Sequence, residues 1–345
     1  MEGSNLNDPK NIIVRMPNWL GDLVMATPIL TDLRHHFPSA KITAMCLSSM
    51  TSLLAEDPHV DELFAIERRS GWMHRSHYKD VIRPLRHGQY DLGILLTNSF
   101  SSAWLFWRGA VQNRIGFQGN LRNCFLDQKI PYPSNLESQH QVITYKALLE
   151  PLGITISNTA PNLYVTDDEL DEARQVLTDL GINPGEPILG INPGAAYGSA
   201  KCWLPERFAE LSQRLLKDPR LHLVFFGDSS SSPLIQKICA DLPERVYNFA
   251  GKTNLRQLMT YILCCDALLT NDTGPMHIAS ALNVPLVALF GSTSDIRTPP
   301  YKDGIVIHKH APCSPCYQRV CPIDFRCMKA ITVDEVEEKV RSILF

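Results

Sequence analysis

The 345-residue chain lacks the features that mark several large classes of protein. It has no run of the ~18–20 apolar residues that a membrane-spanning helix needs, and the apolar stretch after its polar amino terminus is too short for a secretory signal. It has no excess of basic charge, because 33 Lys and Arg stand against 36 Asp and Glu, and this argues against nucleic acid as a partner. We therefore expect a cytoplasmic protein with reduced thiols, while a peripheral position at a membrane surface stays open.

Two common nucleotide-binding signatures are also missing. No segment has the Walker A pattern, and no convincing G-x-G-x-x-G follows a predicted strand. These absences argue against a P-loop enzyme and make a dehydrogenase less favoured.

The chain does contain an alternation of short β-rich runs and helical patterns, which is typical of parallel sheets covered on both faces. Strands are predicted at 11–15, 41–47, 90–97, 186–194, 221–228, 265–272 and 284–291, and the first is followed by a helix over 22–37. The fold class is therefore α/β, with two doubly wound, Rossmann-like domains whose functional loops follow the strands. The predicted parts are a first domain over 1–160, a linker with a helix over 161–185, a second domain over 186–330 and a last helix, 331–345, that packs back across the molecule.

The first loop of the second half suits an anion. Its sequence is INPGAAYGSAKCWLPERFAEL (191–211), in which Gly194 and Ala195 follow a strand and Lys201 precedes a helix. Small residues let backbone amides approach a phosphate, and the lysine adds a positive charge. The alternative is an ordinary loop with a surface lysine.

The second loop, LLTNDTGPMHIASAL (268–282), opens a helix after a strand. The free N–H groups of Thr273 and Gly274 at a helix start favour phosphate, and His277 in the first turn can donate to a phosphate oxygen. Asp272 would repel phosphate, so it is expected to bind sugar hydroxyls or to cap the helix.

Three further turns are weaker candidates. Ser292 lies in a hydroxyl-rich turn that suits phosphate or sugar oxygens, and Gly227 and Thr253 lie in loops that could flank a base and ribose. An ordinary structural turn is as good an interpretation for each.

In the first half, the turn RMPNWLGDLVMATPIL (15–30) places Asp22 at the start of a helix. A carboxylate there can accept a proton from an attacking hydroxyl, or it can serve only as a favourable acid in the first helical turn. Asn18 and Trp19 precede it and are candidates for acceptor binding.

A basic segment follows, with six Lys or Arg and one acid between residues 68 and 86. Arg68, Arg69 and Arg75 are expected to bind an anionic acceptor, and Arg114 and Arg122 could extend that patch. A solvated face without a ligand is the alternative.

Four of the ten cysteines form a cluster, Cys313, Cys316, Cys321 and Cys327, with the spacing C-x2-C-x4-C-x5-C. In a reducing compartment such a cluster suggests a metal, either a structural zinc or an iron–sulfur cluster. A loop of reduced, packed thiols is the alternative.

From residue 12 to about residue 340 the sequence resembles the bacterial ADP-heptose:lipopolysaccharide heptosyltransferases, glycosyltransferase family 9. The resemblance lies in these segments: NWLGDLVMATPIL, RIGF with Arg122 downstream, NPGAAYGSAKCWLPERFAEL, NDTGPMHIASALNVPLVALFG, and CSPCYQRVCPIDFRCM. The Trp-Leu-Gly-Asp turn and the cysteine-rich tail look more like the heptosyltransferase II branch than the I branch.

This resemblance implies a GT-B fold, two domains facing across a cleft, and an inverting transfer of heptose from ADP-heptose to the first heptose of the lipid A–Kdo–heptose acceptor. It implies Asp22 as general base, Lys201 on the diphosphate, Asp272 on the heptose, and Thr253 beside the adenine. It implies no cofactor for catalysis. Alternatives that the residues leave open are a heptosyltransferase I activity, a transferase or epimerase acting on another nucleotide sugar, and a non-catalytic nucleotide-sugar binder.

Overall fold

The computed structural model describes residues 8–67 and 75–345. The chain divides into two compact units, Met1–Tyr164 and Val165–Phe345. Each unit is built around one six-stranded sheet, and all the strand pairs in both sheets are parallel.

The first unit has the strand order β3-β2-β1-β4-β5-β6. Its strands are β1 (Asn11–Arg15), β2 (Lys41–Leu47), β3 (Glu62–Ile66), β4 (Leu92–Leu95), β5 (Asn113–Phe117) and β6 (Gln128–Ile130). Its helices are α1 (Leu20–Met25), α2 (Thr27–His36), α3 (Arg75–His87), α4 (Phe100–Arg108) and α5 (Gln141–Lys146).

The second unit repeats this plan with the order β12-β11-β10-β7-β8-β9. Its strands are β7 (Ile188–Asn192), β8 (His222–Phe225), β9 (Val246–Asn248), β10 (Ala267–Asn271), β11 (Leu286–Phe290) and β12 (Ile305–His308). Its helices are α6 (Asp167–Asp179), α7 (Pro205–Leu215), α8 (Ser232–Cys239), α9 (Leu255–Leu263), α10 (Gly274–Ala281), α11 (Arg326–Lys329) and α12 (Val333–Leu344).

The predicted α/β class with parallel sheets is confirmed. The central strands are fully buried, as the apolar runs of β7, β10 and β11 indicate, because helices cover both faces of the sheet. The prediction did not name β3, β5, β6, β9 and β12. Most of these are short or partly exposed strands toward the sheet edges, where half-polar sequences give a weak signal.

The predicted first helix is interrupted at Ala26. Pro28 has no N–H to donate to the carbonyl of Val24, and the hydroxyl of Thr27 donates to that carbonyl instead, at 2.9 Å. The proline is accommodated because it lies in the first turn of a new helix, α2.

The stretch predicted as a linker carries a helix that belongs to the second unit. Thr166 and Glu169 form a capping box at the start of α6, and Arg256 of α9 donates from Nε to Glu169 Oε1 at 2.7 Å. The hydrogen bond from Arg256 is the main reason that the pKa of Glu169 falls to about 2. The last helix, α12, packs on α7, β10 and β11, so it too is part of the second unit.

A buried polar network fixes residues 157–159 of the first unit. The ammonium of Lys146 donates to the carbonyls of Ser157 and Thr159 at 2.9 and 2.6 Å and lies 3.9 Å from the Asp32 carboxylate. Both hydroxyls, of Ser157 and Thr159, donate to Asp32. Because Lys146 and Asp32 are both buried, the charge of each is stable only while the other groups of the network compensate it.

We predict that Lys146→Met lowers the free energy of unfolding by about 3–5 kcal/mol, because it leaves a buried carboxylate without its cation. Urea denaturation followed by circular dichroism measures the change. Lys129→Met, at an exposed position of β6, is the matched control and is expected to change stability by less than about 0.5 kcal/mol. Equal losses in both variants would contradict the role given to Lys146.

Candidate active site

In the second sheet the chain order reverses between β7 and β10. The strands β8 and β9 extend to one side of β7, while β11 and β12 extend to the other side of β10. At such a point the loops that follow the two central strands separate and leave a crevice at the carboxyl edge of the sheet. The two loops predicted to bind phosphate, which follow β7 and β10, are therefore neighbours.

Two asparagines join these loops. Asn192 Nδ2, at the end of β7, donates to Thr273 Oγ1 at 3.0 Å, and Asn271 Nδ2, at the end of β10, donates to the carbonyl of Pro193 at 2.7 Å. Asn271 Oδ1 also accepts from the backbone N–H of Trp203 at 3.0 Å. The side chain amides thus fix both turns to one another before any ligand binds.

In this crevice half-buried Lys201 forms an ion pair with buried Asp272. Lys201 Nζ lies 2.5 Å from Asp272 Oδ2 and 3.2 Å from the Asp272 carbonyl, and Thr293 Oγ1 donates to the same carboxylate oxygen at 2.6 Å. Three loops, after β7, β10 and β11, therefore meet at one carboxylate. The sequence analysis assigned Lys201 to the diphosphate and Asp272 to the sugar, and it did not single out Thr293.

The aromatic ring of Tyr197 lies under two cations. Lys201 Nζ is 5.1 Å and Arg319 Cζ is 5.4 Å from its ring centroid. The Tyr197 hydroxyl donates to the carbonyl of Tyr317 at 2.6 Å. Tyr197 and Arg319 escaped sequence analysis, because spacing along the chain gives no sign that residues 197 and 319 are in contact.

The start of α10 is open for an anion. Thr273 is the N-cap with extended backbone angles, its side chain makes no capping hydrogen bond, and Pro275 lies in the first turn. The backbone N–H groups of Thr273 and Gly274, with the helix dipole, favour negative charge there, whereas Pro275 has no N–H and that of Met276 donates to the Thr273 carbonyl at 3.1 Å. His277 lies in the same helix and is buried.

Gly194, from the first anion-suited loop, and Gly227, one of the weaker candidates, converge on Ser231. A Cβ added at Gly194 would lie 2.5 Å from Ser231 Oγ, and one added at Gly227 would lie 2.9 Å from Ser231 Cβ. The loops after β7 and β8 therefore pack tightly, with half-buried Ala195 beside Gly194. Thr253, after β9, is also half-buried.

Ser292 is not in a position to bind a ligand at this crevice through an exposed hydroxyl. It is 1% exposed, and its carbonyl accepts from the backbone N–H groups of Cys316 and Tyr317 at 3.1 and 2.8 Å. The segment that follows β12 covers it, and this corrects its assignment as a donor-binding residue. The neighbouring Thr293 makes the contact with Asp272 instead.

In the first unit, Asp22 is half-buried in α1 and accepts a hydrogen bond from Tyr145 of α5, at 3.0 Å between Oδ1 and the hydroxyl. Burial is the main cause that raises the pKa of Tyr145 well above its ordinary value, and the nearby Asp22 carboxylate adds to it. Tyr145 is therefore a protonated donor that orients the carboxylate. It lies 123 residues away in sequence, so spacing could not reveal it.

Asn18 and Trp19 are exposed beside Asp22. Asn18 Oδ1 accepts from Nη2 of Arg15 at 2.6 Å, and Arg15 itself is buried at the end of β1. Desolvation lowers the pKa of Arg15 to about 10. The loop between β1 and α1 is thus held by a buried guanidinium that sequence analysis missed.

Arg122 is a structural residue, contrary to its assignment to the acceptor. It is fully buried, and its guanidinium donates to the carbonyls of Phe117 and Thr97 and to Asn98 Oδ1. Gly116 makes this possible, since a Cβ there would lie 3.2 Å from Arg122 Nη2. An acceptor cannot reach this side chain.

Arg114 is likewise engaged within the first unit. It donates to the carbonyls of Phe125 and Gln112 at 2.6 and 2.8 Å and pairs with Asp127 at 2.8 Å. Its guanidinium therefore anchors the turn between β5 and β6, and we withdraw its assignment to the acceptor.

Arg68 and Arg69, predicted to bind the acceptor, lie outside the described residues, and so does the side chain of Arg75. The described part of α3 buries Val81 and Leu85 and exposes Lys79 and Arg83. Residues 79 and 83 are one helical turn apart and share a face. Two cations of the basic segment are therefore exposed on one face of α3.

The four clustered cysteines are free thiols around one cavity. His308 and His310, just upstream, lie instead beside Asp295, with Nδ1 and Nε2 at 3.1 and 3.3 Å from its carboxylate oxygens. His308 also contacts the cysteine segment, with Nε2 2.9 Å from Ser314 Oγ.

Within the described ranges, no helix combines the length and the apolar character that a bilayer crossing requires.

Comparison with known proteins agrees with this architecture. The model of glycosyltransferase family 9 (heptosyltransferase) matches residues 79–325. Lipooligosaccharide heptosyltransferase 2 of Haemophilus ducreyi is 31% identical over 86% of this chain and 87% of that protein. Lipopolysaccharide heptosyltransferase 2 of Escherichia coli K12 is 31% identical over 84% of this chain and 85% of that protein.

Solved structures give the same result. The Escherichia coli ADP-heptose lps heptosyltransferase II has a TM-score of 0.81 at 28% identity, covering 97% of this chain and 98% of that one. A family 9 glycosyl transferase from Veillonella parvula has a TM-score of 0.88 at 24% identity, with 99% of both chains covered, and shows the shared fold. The chain has the fold of the GT-B heptosyltransferases, and it belongs to glycosyltransferase family 9, the heptosyltransferase family.

Proposed function

We propose that the chain is an inverting glycosyltransferase that moves heptose from ADP-heptose onto the first heptose of the lipopolysaccharide inner core. The observation that carries this proposal is the Lys201–Asp272 pair at the reversal point of the second sheet, where a cation and the start of α10 are set for a diphosphate. The relatives named heptosyltransferase 2 supply the choice of substrates.

Donor binding falls to the second unit. The Lys201 ammonium has three N–H donors, and two are directed at Asp272 in this structure, so a diphosphate oxygen can take a further one. The amides at the start of α10 hold the same diphosphate, while Asp272 accepts from a heptose hydroxyl. As negative charge develops on the departing ADP, these fixed donors stabilise it without reorganising. Gly194, Ala195, Gly227, Thr253 and His277 complete the proposed donor site.

The first unit supplies the base. Asp22 removes the proton from the attacking hydroxyl of the acceptor heptose. The oxygen then attacks the anomeric carbon opposite the diphosphate, through an oxocarbenium-like transition state, and the configuration inverts. Asp22 keeps its orientation through the hydrogen bond from Tyr145. Asn18 and Trp19 lie next to it and contact the acceptor.

The acceptor is a phosphorylated lipid, and the exposed cations of α3 support an anionic partner. Lys79 and Arg83 face outward on that helix and continue the basic segment of Arg68, Arg69 and Arg75. Such a helix favours an anionic surface. We propose that the protein works in the cytoplasm, peripherally at the inner face of the inner membrane.

An assay with two acceptors tests the proposed function. ADP-heptose is offered with Kdo2-lipid A that carries the first heptose and, separately, with Kdo2-lipid A that lacks it. We expect transfer to the first acceptor only. Mass spectrometry of the lipid product measures this transfer. Transfer only to the acceptor without heptose would assign a heptosyltransferase I activity, and binding of ADP-heptose without transfer to either would overturn the proposal.

We predict that Asp22→Asn lowers kcat by about 10²–10⁴-fold, because the amide cannot accept the hydroxyl proton. The Kd for ADP should stay within a few-fold of the wild-type value, since ADP is held by the second unit. Radiolabelled transfer gives kcat, and calorimetry gives Kd. Unchanged turnover in this variant rules out Asp22 as the base.

Tyr145→Phe tests the positioning of that base. Loss of the donated hydrogen bond disfavours the ionised carboxylate, so the acidic limb of the kcat/KM profile should move to higher pH. Tyr90→Phe is the matched control, because Tyr90 is also buried in the first unit but lies at the amino edge of the sheet, and its profile should not move. A role limited to packing would lower stability in Tyr145→Phe without moving the limb.

We predict that Lys201→Ala raises the Kd for ADP by about 10–100-fold, which corresponds to a lost charged hydrogen bond of roughly 1.5–3 kcal/mol. The double variant Lys201→Ala/Asp272→Asn should bind ADP better than the single variant, since it also removes the unpaired carboxylate that repels phosphate. Lys217→Ala, at an exposed position in the same unit, is the control. An unaltered Kd in Lys201→Ala would contradict the phosphate role.

A further inference from the structure

A cavity of about 190 Å³ lies beneath the segment that connects β12 to α11. All four clustered cysteines line it: Cys313, Cys316, Cys321 and Cys327. The remaining lining includes Ala200 and Ser292 on one side and Ile323 and Arg326 on another. Four thiols from one short segment thus converge on a single enclosed space that the proposed transfer reaction does not use.

The sulfur atoms are held from several directions. Cys327 is buried at the start of α11, and a Cβ added at Gly291 would lie 3.1 Å from its Sγ. Cys321 Sγ accepts from the backbone N–H of Phe325 at 3.3 Å, and Phe325 has a left-handed φ of 57°. An N–H aimed at sulfur favours a thiolate, which is the form that binds metal.

One buried polar atom of the lining has no partner. The hydroxyl of Ser292 is buried and makes no hydrogen bond among the described residues, although the carbonyl of the same residue is satisfied twice. A buried hydroxyl without a partner is costly, and it indicates that a group absent from the polypeptide completes the cavity.

The size of the cavity distinguishes two kinds of occupant. Zinc binds thiolates at about 2.3 Å, so a tetrahedral site brings its sulfurs to about 3.8 Å from each other and leaves no space beside the ion. The four thiols line a cavity of about 190 Å³, which is far more space than one ion fills. The cavity therefore suits a polynuclear cluster better than a single metal ion.

We propose that Cys313, Cys316, Cys321 and Cys327 bind an iron–sulfur cluster of the [4Fe–4S] type in this cavity. Four cysteine thiolates are the usual ligands of such a cluster. The core arrives by ligand exchange from a thiolate-ligated donor: four Fe–S bonds to the donor's thiolates break, four Fe–S bonds to these cysteines form, the four cysteine protons pass to the donor's thiolates, and no iron changes its oxidation state. Arg326 also lines the cavity and is paired with Asp324, with Nε 3.0 Å from Oδ1.

The cluster has a structural consequence for the loop that carries Lys201. The carbonyl of Arg319, in the cysteine segment, accepts from the N–H of Ala200 at 3.0 Å, and that of Tyr317 accepts from the Tyr197 hydroxyl at 2.6 Å. The backbone of Arg319 passes so close to Gly198 that an added Cβ would lie 2.2 Å from its carbonyl oxygen. The cluster thereby fixes the cysteine segment, and the carbonyls of that segment fix the loop that carries Lys201.

Analysis of the full-length protein, purified without oxygen, tests the proposal. We expect about four iron atoms and about four inorganic sulfides per chain, with broad visible absorbance that bleaches on reduction. Fewer than about one iron per chain, or one zinc without sulfide, would overturn it. These measurements do not depend on heptosyl transfer, so the cluster and the proposed function can fail separately.

Four variants locate the cluster and its effect. Cys316→Ser and Cys321→Ser should lose the iron, the sulfide and the visible absorbance, while Cys124→Ser, at an exposed cysteine of the first unit, should keep them. Gly198→Ala should keep the cluster and still weaken ADP binding, because the added methyl group displaces Arg319 from the Lys201 loop. The expected effect on ADP binding rests on the proposed function. Iron retained in both cluster variants would contradict the ligand assignment, and that result is decisive even where a variant is less stable.

Discussion

The second unit depends on a buried carboxylate that must be compensated. Asp272 directly follows β10, and its charge is accommodated by Lys201 from the loop after β7 and by Thr293 from the loop after β11. An isolated buried charge is strongly destabilising. The folded second unit therefore requires these three loops to lie close enough for their side chains to contact Asp272. The stabilisation gained from such a pair is small, but the pair fixes the lysine where the crevice opens. A cation placed in this way needs little reorganisation when a diphosphate arrives.

Much of this arrangement could be predicted from the sequence because parallel sheets follow simple rules. Buried central strands read as apolar runs, and loops that carry chemistry follow them at one edge. The loops after β7 and β10 were predicted to bind phosphate; the structure places these two strands side by side, and the phosphate role stays a prediction. The helix break at Ala26 and the edge strands were not predicted, since a proline in the first turn and a half-exposed strand each give weak periodic signals. The pairing of Lys201 with Asp272, 71 residues apart, depends on side-chain direction, which spacing does not contain.

The arginines show where prediction from residue type fails. Arg114 and Arg122 were expected to face an anionic acceptor, yet backbone carbonyls bind both guanidiniums, and Arg122 occupies space that Gly116 leaves free. A guanidinium has five N–H donors in one plane, so it is well suited to hold several carbonyls of a turn that lacks regular structure. Arg15 does the same beside Asn18 and was not noticed in the sequence. Burial, rather than residue type, separates these structural cations from the exposed ones on α3.

The segment from residue 313 to residue 327 has almost no regular secondary structure before α11, and it includes left-handed residues at Tyr317 and Phe325. A segment of this kind cannot be ordered by helix or strand hydrogen bonds, so its order must come from side-chain and carbonyl contacts or from cross-links. Yet it has to be ordered, because its carbonyls at Tyr317 and Arg319 hold the loop that presents Lys201. The proposed cluster supplies that order through its four thiolate ligands. A metal centre and a transfer step that relies on the chain's own cations are therefore compatible, because the cluster acts on the position of the lysine and takes no part in the chemistry.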